Sequence, residues 1–101
     1  MPQYNGIQSN PLKYKHISTA GTTVVKATPG VLANVIINSG TTNGALTLLD
    51  QSTTITTTNT IAAIALGGTV VTPDVNAYNL ETNVGLVVVS AGTIDATILF
   101  S

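Results

Sequence analysis

An all-β fold, an antiparallel β-sandwich of about eight short strands with a jelly-roll as its leading variant, is what this sequence predicts. Three observations carry that expectation. From about residue 17 onward the chain is written in short runs of Val, Ile, Thr and Leu. Gly, Pro and Asn interrupt those runs every 8–12 residues or so, the spacing of small all-β domains. No segment sustains the 3.6-residue periodicity of an amphipathic helix.

Residues 1–16 combine Pro2, Asn5, Gly6, Asn10 and Pro11 with little periodicity and read as an extended N-terminal arm. A leading strand near 14–20 joins this arm to the domain at 17–101. "TTVVKA" (22–27) is the next strand, closed by the turn signal Thr28-Pro29-Gly30. "VLANVIIN" (31–38) puts Val31, Ala33, Val35 and Ile37 on one face, with Asn34 and Asn38 on the other. In "SGTTNG" the pair Asn43-Gly44 supplies the left-handed backbone that hairpin turns favour. "ALTLLD" (45–50) sets Leu46 and Leu48 against Thr47.

"QSTTITTTN" (51–59) is uncharged and β-branched, and reads as an exposed loop or ragged edge strand rather than an interdomain linker, because apolar strand follows at once. "TIAAIAL" (60–66) stops at Gly67-Gly68, and "TVVT" (69–72) at Pro73-Asp74. "NAYNLET" (76–82) shows Tyr78 and Leu80 on one side. "LVVVS" (86–90) is apolar on both faces. "TIDATILF" (93–100) alternates Ile94, Ala96, Ile98 and Phe100 with Thr93, Asp95 and Thr97.

Charge narrows the function. Charged residues are 7% of the chain, against a usual ~25%, while 44% of residues are hydrophobic. That composition folds, and it leaves few ions to keep copies apart. With three lysines, no arginine and a net charge of −1, the chain offers little to nucleic-acid phosphates or to an anionic membrane surface. The opening residues lack the apolar core of a secretory signal, so synthesis in a cytoplasm is expected. Cysteine is absent, which excludes disulfides and thiolate chemistry.

No constellation points to catalysis. His16 is the only histidine, and no Gly-x-Ser-x-Gly elbow accompanies the hydroxyls. Asp50, Asp74, Glu81 and Asp95 have no spacing that suggests an acid/base pair. Asp74 and Asn76 could lend oxygens to calcium, but no EF-hand-like loop surrounds them. A non-enzyme without cofactor or metal is expected. Strands apolar on both sides, in a chain with no Lys or Arg between Ala27 and Phe100, point instead to a homo-oligomer.

"TTVVKATPGVLANVIINSG", "LTLLD" and "NVGLVVVSAGTIDATILF" together resemble a group of small bacteriophage proteins. The matching positions are Pro29-Gly30-Val31-Leu32, Leu48-Leu49-Asp50, Gly85 to Val89, and Asp95 with Thr97. The resemblance implies a virion structural protein of the head auxiliary type: a decoration or cement protein, a β-sandwich trimer bound to the major capsid protein. Terminal arms in such proteins reach neighbouring subunits. On that basis Tyr4, Leu12, Lys13, Tyr14 and Lys15 are the candidate interaction residues. The alternatives are a glycan-binding or adhesion module of a phage tail or fibre, and a minor tail component.

Overall fold

A computed structural model describes residues 12–53, 59–67 and 73–101. They form eight antiparallel strands: β1 (Lys13–Ile17), β2 (Gly21–Lys26), β3 (Gly30–Gly40), β4 (Ala45–Leu49), β5 (Thr60–Ala65), β6 (Asp74–Thr82), β7 (Leu86–Ala91) and β8 (Ile94–Phe100). Two four-stranded sheets result, in the orders β1-β8-β3-β6 and β2-β7-β4-β5. The pairing is nested: first strand with last, second with seventh, third with sixth, fourth with fifth. Ladders between β3 and β8 and between β4 and β7 then complete each sheet. Only the β4–β5 connection stays within one sheet; every other connection passes from one sheet to the other. The all-β expectation is met.

Both sheets feed one buried cluster. Val35, Ile37, Ala96 and Ile98 enter it from one side, and Leu46, Leu48, Leu86 and Val88 from the other. The period-two readings of β4 and β8 therefore hold: Leu46 and Leu48 point inward against Thr47, and Ile94, Ala96 and Ile98 against Asp95 and Thr97. Each fully buried Leu, Ile or Val contributes about 1.5–3 kcal/mol, so this cluster is the main force joining the layers.

Several expectations need correction. A register shift between Leu32 and Asn34 inserts a bulge into β3. It turns Leu32 inward, fully buried opposite Leu80 and Phe100, and leaves Val31 half-buried opposite Glu81, so Val31 does not share the face of Val35 and Ile37. Asn43-Gly44 is not a left-handed hairpin turn either. Among the described glycines only Gly21 and Gly92 have positive φ. The bend closes through Gly44 N–H to Thr41 O at 2.9 Å, and it carries the chain between sheets. Gly44 is needed for closeness: a Cβ there would lie 2.5 Å from Thr93 O.

The apolar run in β7 also divides. Leu86 and Val88 join the core, whereas Val87 faces the other way, opposite Leu49, and both are fully buried within the single chain. No second copy is needed to cover them. β6 starts at Asp74, two residues before the expected strand. The strand expected at 69–72, and residues 54–58 of the Thr-rich stretch, lie outside the described residues.

Candidate interaction surface

The arm expected at 1–16 overlaps a strand. Lys13, Tyr14, Lys15 and His16 belong to β1, hydrogen-bonded to β8 from Lys13↔Phe100 to Ile17↔Ala96. Tyr4 lies outside the described residues. Leu12 sits just before β1 and is 53% exposed, and Tyr14 is 71% exposed. The structure thus gathers four of the five sequence-predicted residues, Leu12 to Lys15, on one sheet edge.

Strand alternation sorts these residues. Ile17 is buried, so Lys13 and Lys15 share its side of β1 and stand at the rim of the core, opposite Phe100 and Ile98. Both are exposed, consistent with lysine stems running past apolar surface to water. Tyr14 and His16 point to the outer face. Two rows cross that face: Tyr14, Leu99, Asn34 and Ala77 in one, and His16, Thr97, Ile36 and Val75 in the other. Val75 is 57% exposed, and Leu99 and Ile36 are half-buried. The outer face of this sheet is therefore a mixture of apolar side chains and neutral polar ones.

A polar network spans β1, β8 and β3 on the same face. Asp95 Oδ1 lies 2.8 Å from His16 Nε2 and accepts from Asn38 Nδ2 at 2.9 Å. The Asn38 amide also donates to Thr97 Oγ1 at 3.2 Å. The Asn38 hydrogen bond and then the His16 contact hold the Asp95 carboxyl below its ordinary value of 3.8. Sequence reading set Asp95 and Thr97 on one face of the last strand and assigned His16, the only histidine, to no constellation; the register of β1 on β8 joins them. The carboxylate and the imidazole make a side-chain tie between β1 and β8.

The other acidic group of note is structural. Asp50 Oδ2 accepts the N–H of Asn83 at 2.9 Å, and Oδ1 accepts those of Val84 and Gly85 at 2.8 and 3.2 Å. Burial pushes its carboxyl up, but the three amide donors outweigh that and leave it below 3.8. Its backbone binds Asn59 in both directions, closing the base of the β4–β5 connection.

A shallow cleft of about 320 Å³ lies where β3 begins and β6 ends, lined by Pro29, Gly30, Val31, Glu81, Thr82 and Asn83. Thr82 Oγ1 accepts the Gly30 N–H at 3.0 Å across it. None of these lining residues is aromatic. Between Asp74 and Asn76, weighed above as oxygen donors to calcium, the Asn76 amide turns its nitrogen, a donor, toward Asp74 Oδ2 at 3.5 Å. Among the described residues no group of three or more His, Cys, Asp or Glu could hold a metal ion. Comparison with protein-family models, curated proteins and solved structures finds no match.

Proposed function

We propose that this protein is a capsid decoration, or cement, protein of a bacteriophage virion, bound to the major capsid protein as a homotrimer and acting without catalysis, nucleic acid or membrane. The observation that supports this best is the β1 edge and the sheet face beside it. Tyr14, 71% exposed, lies beside Leu99 on a face that also carries the half-buried Ile36 and the exposed Val75, and Asp95 there is tied to His16 and Asn38. Interface centres are depleted of net charge and enriched in aromatic residues such as Tyr, so a protein partner suits this face better than a polyanion.

The fold is further proposed to be a jelly-roll sandwich. The nested pairing, with all but one connection crossing between sheets, supports it. Such sandwiches serve both viral capsids and lectins, so topology alone does not choose a function. The bare Tyr14 ring also favours a second reading, a glycan-binding or adhesion module of a phage tail or fibre. Against it, the cleft has no ring on which a sugar could stack.

Quantitative mass spectrometry of purified particles tests the proposal. Decoration requires a copy number comparable to that of the major capsid protein. A few copies per particle, or specific binding on a glycan array, overturns it in favour of the tail readings.

A further inference from the structure

We infer that the outer edge of β5 is a self-association site, where the β5 strands of two copies pair antiparallel about a twofold axis and join their sheets into one. Among the described residues the two sheets end in four edge strands: β1, β6, β2 and β5. An edge strand presents unpaired N–H and C=O groups, and soluble proteins blunt such edges with charge, irregular backbone or bulges.

Three of these edges carry such protection. β1 bears Lys13 and Lys15, and twofold pairing about its centre would set lysine against lysine. β6 holds Asp74 and Glu81, and its extended backbone is interrupted by Asn79 at φ 50. β2 starts at Gly21 with φ +144, shifts register between Val24 and Lys26, and ends on a lysine. β5, "TIAAIA", has no charge, proline, glycine or positive φ. Its ladder irregularity falls between Leu48 and Leu49, at its Thr60 end. Among the described residues no strand lies on its outer side.

The occupant follows from self-complementarity. Pairing centred on Ala63 sets Ala63 against Ala63, Ala62 against Ile64 and Ile61 against Ala65. Every opposed pair is apolar, and no like charges meet. Ile61, Ala62 and Ile64 pack against the core cluster yet stay only partly buried, so a second β5 would cover the open rim of that core. A contact of this length buries far less than the ~800 Å² per partner of a standard interface, so it forms at high local concentration. It rests on the edge alone, independently of capsid binding. A twofold contact doubles whatever unit forms through other surfaces.

The test uses the full chain, which has no native cysteine. Ala63 is exposed, and symmetric partners ~4.5–5.5 Å apart across a strand pair fall within disulfide reach. Ala63→Cys is expected to cross-link two chains on mild oxidation, well ahead of Thr28→Cys, an exposed position in the β2–β3 connection. By light scattering at high concentration, Ala63→Lys is expected to halve the wild-type mass while keeping the wild-type circular dichroism spectrum. Equal cross-linking by the two cysteine variants, or a mass that Ala63→Lys leaves unchanged, overturns the inference. If Ala63→Lys misfolds, the cysteine comparison decides alone.

Discussion

Asp50 and Gly85 hold the β6–β7 connection against the end of β4. The Asp50 carboxylate accepts the Gly85 N–H at 3.2 Å, and a Cβ on Gly85 would stand 2.6 Å from Lys26 O and 2.7 Å from Gln51 O. The carboxylate and the missing side chain are two parts of one close approach between three segments.

Replacing Asp50 with Ala leaves the amides of Asn83, Val84 and Gly85 without their acceptor. Because the site is partly exposed, water recovers some of the loss, and the expected cost is about 1–2 kcal/mol. That corresponds to a fall in melting temperature of roughly 4–8 °C per kcal/mol for a domain of this size. Asp50→Asn keeps one oxygen and should lose less. Thermal unfolding of the two variants beside wild type checks the order.

Acid should weaken the fold in a defined window. Asp50 and Asp95 both ionise more readily folded than unfolded, so their contribution is complete above the ordinary carboxyl value of 3.8. It is lost as pH falls through 3.8 toward the lower folded values. Melting temperature measured down this range should drop for wild type and drop less steeply for an Asp50→Asn, Asp95→Asn double variant.

Gly92→Ala should be among the most damaging single changes in a connection. Its φ is +67, and an added Cβ would lie 2.0 Å from Asn43 O. Left-handed strain costs of order 1–3 kcal/mol, and the clash adds to it because backbone cannot swing aside. Chemical denaturation should show a lowered midpoint with an unchanged slope.

Tyr14→Ala and Leu48→Ala separate surface from core. Tyr14 is exposed, so its removal should alter stability by less than ~0.5 kcal/mol while abolishing capsid binding under the proposed function. Leu48 is fully buried, and its truncation should cost about 2–5 kcal/mol. A Tyr14→Ala protein that still binds capsids would remove β1 from the contact. Deletion through Lys15 strips β8 of most of its β1 partner.

Strand identity was legible where alternation ran undisturbed, as in β4 and β8, because burial on one face leaves a period-two trace. It failed at Leu32, where a bulge changes facing without changing composition. Asn43-Gly44 misled for a different reason. The glycine answers to a carbonyl from the distant β7–β8 connection, and local sequence carries no sign of Thr93. The His16–Asp95 tie was hidden for the same cause: its partners stand 79 residues apart and meet only through strand order. Leu12 to Lys15 were named through the resemblance as part of an arm, and the pairing of Lys13 to Lys15 with β8 was not legible, because it depends on a strand far along the chain.

The nested order of strands has a consequence for synthesis. β4 and β5 meet as soon as both leave the ribosome, but among the described strands β1 pairs with β8 alone and must wait for it. A nascent chain stopped short of Ile94 leaves β1 and β3 apart, with the buried faces of Ile17, Val35 and Ile37 open to water. A chain truncated there therefore exposes apolar strand that the full chain buries, and a protease can tell the two apart.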